Sequence, residues 1–167
     1  GNSRWSYAAA WEDYDNDGDQ DLYVANDFGK NNLYRNDKGR FVDVAAAANV
    51  EDISSGMSVS WGDVDRDGHM DLYVSNMYSA AGRRVTSQRA FQATAPKAAR
   101  DGMALHARGN SMFLNNGDGT FRDVSNASGT TVAKWAWGAL LTDLNGDGYK
   151  DVAVVNGMFT RADPGDL

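Results

Sequence analysis

The chain has 167 residues, 42% of them hydrophobic and 23% charged, and its formal net charge is −7 at neutral pH. Because it has no cysteine and only two histidines, disulfide bonds are excluded, and zinc, copper or iron–sulfur sites have almost no ligands. The acidic balance argues against nucleic acid as a partner, and no apolar stretch is long enough to form a transmembrane segment.

The first predicted element is a strand that precedes an acidic loop. The bulky residues Trp5, Tyr7 and Trp11 alternate with alanine and serine, and this period of two predicts a strand packed between two sheets. Similar alternation precedes two later acidic loops, at 55–61 and 135–141. A row of aromatic residues at strand spacing could form a platform for stacking sugars, but such rows are core more often, and we interpret this one as core.

The acidic loop that follows this strand occurs three times along the chain. Each copy has acids or asparagine at positions 1, 3 and 5, glycine at position 6 and aspartate at position 9. The glycine permits a sharp turn that lets side-chain oxygens converge, and calcium binds about six to eight such oxygens. One such loop would equally suit a solvated turn. Three loops, however, hold 12 of the 23 acidic residues, and these repel one another unless a cation lies among them.

We therefore predict three calcium sites, one in each loop. At position 7, Asp19, His69 and Tyr149 would bind through their backbone carbonyl groups, so the His69 side chain is not a predicted ligand. The third site is predicted to be the weakest because Asn145 replaces an acid. The predicted ligands are Asp13, Asp15, Asp17, Asp19 and Asp21 in the first loop, Asp63, Asp65, Asp67, His69 and Asp71 in the second, and Asp143, Asn145, Asp147, Tyr149 and Asp151 in the third.

The residues that flank the loops exclude an EF-hand. An EF-hand has helices on both sides of its loop and a bidentate glutamate at position 12, where this chain has Val24, Val74 and Val154. Each loop is followed instead by a run of β-branched, aromatic and aliphatic residues that ends at asparagine, and such a run predicts a strand. Each loop therefore joins two antiparallel strands.

Two further strands complete the repeated unit. They are predicted at 31–36 and 41–44 in the first unit and at 110–115 and 121–124 in the second. Four-stranded antiparallel units in tandem predict an all-β fold of β-propeller blades, here about two and a half of them. The predicted blades are residues 1–50 with the loop 13–21, residues 51–130 with the loop 63–71, and a partial blade at 131–167 with the loop 143–151.

The repeat resembles the FG-GAP or VCBS-type blade of integrin α-subunit propellers and of many bacterial secreted proteins, and it is most similar to bacterial relatives of the cartilage acidic protein family. The resemblance implies a propeller fold with calcium in the aspartate-rich loops, and it brings no catalytic residues. It rests on the acidic loops together with Asp-Leu-Tyr-Val-Ser-Asn at 71–76, His-Ala-Arg-Gly-Asn-Ser at 106–111, Trp-Ala-Trp-Gly at 135–138 and Asp-Pro-Gly-Asp-Leu at 163–167.

The predicted blade number is too small for a closed ring, since propellers have about four to eight blades. The start at Gly1, without an initiator methionine or a signal peptide, favours a longer chain, and family members are generally longer. Open blades would expose strand edges and apolar faces. We therefore expect the remaining blades of the same chain, or other subunits, as partners.

One segment interrupts the repeat, an insertion at 79–108 in the second blade with a net charge of +5, while the rest of the chain carries −12. Its alanine-rich runs predict short helices around 89–93 and 97–100. The arginines either pair with the chain's own acids, which we favour, or bind an anionic partner such as an anionic glycan or an acidic protein. His106 is predicted to be a hydrogen-bonded structural residue.

The sequence predicts a binding, adhesion or assembly module rather than an enzyme, because no motif of a hydrolase, metalloprotease or phosphate-binding loop is present. The alternative is a segment of a calcium-dependent extracellular enzyme acting on polysaccharide, with its catalytic residues elsewhere. Calcium sites of modest affinity fill only outside the cytosol. The predicted location is therefore extracytoplasmic: secreted, periplasmic or at the cell surface.

Overall fold

The computed structural model describes residues 4–156, which form three antiparallel sheets and two helices. The first sheet has the strand order β1-β2-β3-β4, the second has β5-β6-β7-β8, and the third pairs β9 with β10. This architecture confirms the predicted all-β class of propeller-like, four-stranded units. The strands are β1 (Trp5–Glu12), β2 (Asp21–Phe28), β3 (Asn32–Asp37), β4 (Arg40–Asp43), β5 (Gly56–Gly62), β6 (Asp71–Asn76), β7 (Ser111–Asn115), β8 (Phe121–Asp123), β9 (Ala136–Thr142) and β10 (Asp151–Asn156).

Each acidic loop connects the first two strands of a sheet. In the second sheet, for example, Gly62 pairs with Asp71 across the base of the loop, and Val59 pairs with Val74 further along. The first and third loops close their hairpins in the same register. The blade boundaries predicted at residues 50 and 130 stay predictions. The segment 163–167, which contributed to the family resemblance, lies outside the described residues.

Two hydrophobic cores lie between neighbouring sheets. The larger core joins the first sheet to the second, with Tyr23 and Leu33 on one side and Leu72 and Phe113 on the other. A smaller core joins the second sheet to the third around Tyr73, Met112 and Leu141. The second sheet is therefore covered on both faces, as the strands of a central propeller blade would be.

The aromatic face of β1 is exposed, so the prediction that it is core is wrong within the described residues. Trp5 is 74% exposed and Trp11 is 55% exposed. At the repeat position of Trp11, Trp61 of β5 is half-buried and meets the ring of Tyr23 edge-on, with centroids 6.2 Å apart. The two positions differ because the first sheet covers the Trp61 face of β5, whereas no sheet in the part of the chain that the structure describes covers the face of β1 that carries Trp5 and Trp11.

The insertion contains the two helices, α1 (Ala80–Thr86) and α2 (Lys97–His106). The helix α2 begins after Pro96 as predicted and continues through Gly102, whereas the helix predicted at 89–93 is absent and turns occupy that segment. The helix α1 begins instead after its N-cap residue Ser79, whose side chain accepts a hydrogen bond from the Gly82 N–H. Neither helix in this part of the chain is long and apolar enough to cross a membrane.

The two ends of the insertion are joined by the same kind of hydrogen bond that closes the short connection between β2 and β3 in the first sheet. The Asn26 N–H donates to Asn31 Oδ1 at 2.8 Å, and the Asn76 N–H donates to Asn110 Oδ1 at the same distance. All four asparagines are buried. The insertion at 79–108 therefore leaves and re-enters the sheet at fixed points.

Candidate metal centres in the acidic loops

The three acidic loops share one pattern of backbone hydrogen bonds. In every loop the carboxylate at position 1 accepts hydrogen bonds from the N–H groups of positions 5 and 6, and the carboxylate at position 5 accepts one from the N–H of position 7. In the second loop, Asp63 accepts from Asp67 at 3.1 Å and from Gly68 at 3.0 Å. These bonds curl the loop around its own acids.

The turn depends on glycine at position 6. The φ angle there is +94° at Gly18, +89° at Gly68 and +86° at Gly148, which a residue with a Cβ atom adopts only with strain. Position 4 also has positive φ, at Asn16, Arg66 and Gly146. These two left-handed residues curl the loop, and in the first two loops the position-9 aspartate returns to the acids at positions 1 and 3.

The position-9 aspartate connects the loop to the third strand of its sheet. The carboxylate of Asp71 accepts from the Val64 N–H at 2.8 Å and from the Asn115 N–H at 2.9 Å. Asp21 makes the equivalent two contacts in the first sheet, and both aspartates are almost fully buried. Loop and hairpin are therefore held by one buried aspartate in each of the first two sheets.

Three carboxylates converge in each of the first two loops, at positions 1, 3 and 9. Asp13, Asp15 and Asp21 offer oxygens that all lie within 4.8 Å of one another, and so do Asp63, Asp65 and Asp71. None of these six has an ion pair with a basic residue in the described chain. The Oδ1 atom of Asp15 is buried with no hydrogen-bond partner among the described residues. These donor sets fit a hard cation that binds oxygen.

The remaining predicted ligands lie outside these clusters. The position-5 acids Asp17 and Asp67 turn one oxygen towards the position-7 N–H, at 2.8 Å in the first loop and 2.9 Å in the second. In the third loop, Asn145 contributes an amide, and the acids 143, 147 and 151 form no group of three converging carboxylates within residues 4–156. Ligation by positions 5 and 7, and by the whole third loop, stays a prediction.

The pKa values of the position-9 acids reflect the charge gathered in these loops. Burial raises the pKa of Asp21 to about 6, and the carboxylates of Asp15 and Asp17 push it in the same direction against the hydrogen bonds from backbone N–H groups. Burial likewise raises the pKa of Asp71 to about 6. A cation among these groups would stabilise the charged form that burial disfavours.

The first loop is also open to solvent. A cleft of about 430 Å³ runs beside it, lined by Asp15, Asp17 and Arg35 and by the turn 117–119 of the second sheet. Arg35 is paired with Asp37 at 2.9 Å rather than with the loop acids. A cation therefore has an entry path to the first cluster.

Neighbouring loops contact each other through their side chains at positions 4 and 7. Asn16 Nδ2 of the first loop lies 3.1 Å from His69 Nδ1 of the second, and the Arg66 guanidinium of the second lies 5.1 Å from the centre of the Tyr149 ring of the third. The position-7 side chains of the second and third loops thus face the preceding loop. The repeat pattern did not predict this contact, because it describes the residues within one loop and not the contacts between loops.

The other histidine, His106, lies outside the acidic loops and has a structural contact, as predicted. His106 Nδ1 lies 2.8 Å from the carbonyl oxygen of Ile53 at the base of the insertion. Hydrogen bonding to a backbone carbonyl fixes the ring at the end of α2. This contact accounts for His106 without a role in chemistry.

Comparison with protein-family models gives a match to the FG-GAP-like repeat at residues 13–74 and 99–154. The two matched segments cover more than half of the chain and contain all three acidic loops and most of the strand that follows each loop. A search of curated proteins finds no match. On the extent of the family match, the chain belongs to the FG-GAP-like repeat family.

Proposed function

We propose that this chain is a calcium-stabilised, extracellular β-propeller segment that serves as a binding, adhesion or assembly module. FG-GAP repeats are typically extracellular binding or adhesion modules and are a non-catalytic type of module. The observation that carries the calcium proposal is the pair of carboxylate clusters without ion pairs among the described residues, each closed by a buried aspartate. No observation favours the enzymatic alternative.

In the proposed mechanism calcium is structural. Within the second loop, Asp63, Asp65 and Asp71 would hold the ion, with Asp67 and the His69 carbonyl completing the shell, and the first loop would do the same with its equivalents. The ion supplies positive charge that offsets the repulsion among the acids. Asp71 also accepts the Asn115 N–H, so ordering of the loop also orders the edge of β7.

A calcium titration by isothermal calorimetry tests this proposal. We expect three sites in the chain, the third being the weakest, and little heat from magnesium, which resists losing its water shell. Asp17→Ala and Asp67→Ala each delete one position-5 acid, and each is expected to weaken one site and leave the other two unchanged. Equal titrations of the variants and the unaltered protein would show that these acids are not ligands.

The exposed aromatic face of the first sheet supports the assembly part of the proposal. Trp11 packs edge-on against Phe41 with centroids 6.0 Å apart, and Trp61 and Phe121 form the equivalent pair at 6.2 Å in the second sheet. The latter pair is covered by the first sheet, where the ring of Tyr14 lies 5.7 Å from that of Phe121. A further blade of the same repeat would cover Trp11 in the same way.

The expected partners are therefore the remaining blades of the same chain or other subunits. Analytical ultracentrifugation of the chain in calcium is expected to show association that Trp11→Glu abolishes. Val85→Glu is the matched control, because Val85 is also an exposed apolar residue but lies on α1, away from the sheet face. Equal effects of the two substitutions would contradict the assignment of the face.

The calcium proposal also supports the extracytoplasmic location, whether secreted, periplasmic or at the cell surface, because extracellular modules bind calcium at concentrations that the cytosol does not reach. The particular similarity to bacterial relatives of the cartilage acidic protein family is likewise a proposal, and it rests on the motifs at 71–76, 106–111 and 135–138. Fractionation of the producing cells, with detection of the protein in the cytosol alone, would overturn the location.

A further inference from the structure

The basic insertion carries arginines that the rest of the described chain does not neutralise. Lys97 pairs with Asp101 at 2.6 Å and Arg108 pairs with Asp123 at 2.6 Å. The other four arginines, at 83, 84, 89 and 100, have no ion pair within residues 4–156. The favoured prediction that the insertion pairs with the chain's own acids is therefore wrong for these four.

Arg83 and Arg108 line one cleft of about 370 Å³, a volume in the range of ligand pockets. The cleft lies between α1, α2 and the turn that follows β8. Its one lining acid is Asp101, which already pairs with Lys97. The polar lining residues are Arg83, Thr86, Ser87, Asp101, Arg108 and Asn126.

Arg108 gives this cleft a fixed side. Its side chain is only 12% exposed, its Nη1 donates to Asp123 at 2.6 Å, and its Nη2 donates to Ser111 Oγ at 2.8 Å. Arg83, by contrast, lies exposed in the last turn of α1. Arg108 is therefore a fixed wall of the cleft, and Arg83, which has no ion pair among the described residues, is the cation that can bind an anionic group there.

The hydroxyl groups in the cleft narrow the class of ligand. Thr86 Oγ1 donates to the Arg83 carbonyl at 3.2 Å, and Ser87 Oγ donates to the Arg84 carbonyl at 2.9 Å. Because each hydroxyl has one hydrogen, which is used in these bonds, both oxygens face a ligand only as acceptors. A suitable ligand therefore supplies hydrogen-bond donors beside an anion. A sugar acid or sugar sulfate does so within one ring, because its hydroxyl groups adjoin the anionic group, whereas the donors of an acidic peptide are backbone N–H groups several bonds from the carboxylate.

From these contacts we infer that the cleft between α1, α2 and the turn at Asn126 binds the carboxylate or sulfate group of an acidic polysaccharide, with Arg83 as the main contact. The apolar side chains of Ala104 and Leu105 also line the cleft and suit the C–H face of a pyranose ring. This inference deepens the proposed function, on which it rests, by naming the class of partner that the module binds.

Three polymers with one backbone test the inference: carboxymethyl dextran, dextran sulfate and neutral dextran, each titrated against the full chain in calcium. Binding is expected for the two anionic polymers and not for the neutral one, and the two anionic polymers separate carboxylate from sulfate recognition. Arg83→Gln is expected to weaken binding roughly tenfold, as loss of one charge-assisted hydrogen bond does. Arg84→Gln is the matched control, because Arg84 is exposed on the same helix but does not line the cleft, and it is expected to change affinity less than about twofold.

Three results would overturn the inference. Equal loss of affinity in the Arg83 and Arg84 variants would indicate diffuse attraction to the basic insertion. Binding of poly-L-glutamate as tight as that of carboxymethyl dextran would indicate an acidic protein, and absence of binding to both anionic dextrans would remove the site altogether. Thermal unfolding in chelator tests the calcium proposal independently of polymer binding. Failure of the calcium proposal and failure of the cleft assignment therefore give different outcomes.

Discussion

The second and third acidic loops have the same backbone geometry but different surroundings. In both, the position-1 carboxylate accepts the N–H groups of positions 5 and 6, and the position-9 carboxylate accepts the N–H of position 2. Asp71 of the second loop is fully buried and also holds Asn115, whereas Asp151 is half-buried and the described part of its sheet has no third strand. Only the second loop of these two has three converging carboxylates.

This difference separates the loop geometry that the local sequence produces from the contacts that the rest of the sheet contributes. The curl is local, because glycine at position 6 and the position-1 carboxylate are enough to form it. Convergence of three carboxylates also needs an acid at position 3, where the third loop has Asn145, and in the second loop the next strand additionally fixes the position-9 aspartate. We therefore expect the second loop to bind calcium more tightly than the third, and each prediction below changes one of these contributions.

The largest effect is expected for Asp71→Ala. Loss of the carboxylate leaves the N–H groups of Val64 and Asn115 without their acceptor, which lowers the free energy of unfolding by roughly 3 kcal/mol in addition to the loss of the second calcium site. Asp151→Ala, the matched change in the third loop, removes the acceptor of the Leu144 N–H and is expected to cost about 1 kcal/mol. Urea unfolding in calcium measures both, and equal values would refute the role given to the third strand.

A smaller effect is expected for Asn145→Asp, which gives the third loop the acid of the second. The added charge is expected to raise calcium affinity about tenfold, or about 1.4 kcal/mol. In chelator the same change is expected to lower stability, because the new carboxylate faces Asp147 in place of the amide that donates to it at 3.1 Å. Asp65→Asn makes the reverse change in the second loop. Calorimetry should show affinity changes of opposite sign, and changes of the same sign would reject charge as the difference between the loops.

The contact between the second and third loops is expected to contribute less to the free energy of unfolding. Arg66 lies over the Tyr149 ring, and an exposed contact of this kind contributes about 0.5–1 kcal/mol. A double-mutant cycle with Arg66→Ala and Tyr149→Ala, followed by urea unfolding in calcium, measures the coupling directly. Additive effects of the two substitutions would mean that the second and third loops do not interact through this pair.

The smallest effect is expected for His69→Ala. The His69 ring contacts Asn16 at an exposed position, and only its backbone carbonyl is a predicted ligand. Calcium affinity of the second loop is therefore expected to stay within about twofold of the unaltered value in a calorimetric titration. A loss of tenfold or more would require the ring itself to be a ligand.

Local patterns predicted much of the fold. The acidic loops, the strands that flank them and the hairpins all follow from residues close together in the sequence, and the structure has them close to where the patterns place them. The start of α2 after Pro96 was predictable for the same reason. The helix α1 was missed because alanines at 90 and 93 suggested helix, whereas Ser79, a good N-cap residue, marks the actual start.

Contacts between distant segments could not be predicted. Exposure of Trp11 depends on whether another sheet covers the aromatic face of β1, and identical repeat positions differ in this respect. The Asn115 side chain donates to the Tyr14 carbonyl across two sheets, at 2.8 Å, and nothing in either local sequence indicates the pairing. The recurrence of asparagine at 26 and 76, and again at 31 and 110, was a visible signal for the buried network that anchors the insertion.

Thermal unfolding of the protein in calcium and in excess chelator, combined with a count of bound metal, tests the central claim most directly. Calcium that binds only the folded chain raises its melting temperature by mass action. The account predicts a sharp fall of the melting temperature in chelator and about three calcium ions for each chain, with the weakest lost first on dilution. An unchanged melting temperature with no bound metal would show that the acidic loops are solvated turns and would contradict the calcium account.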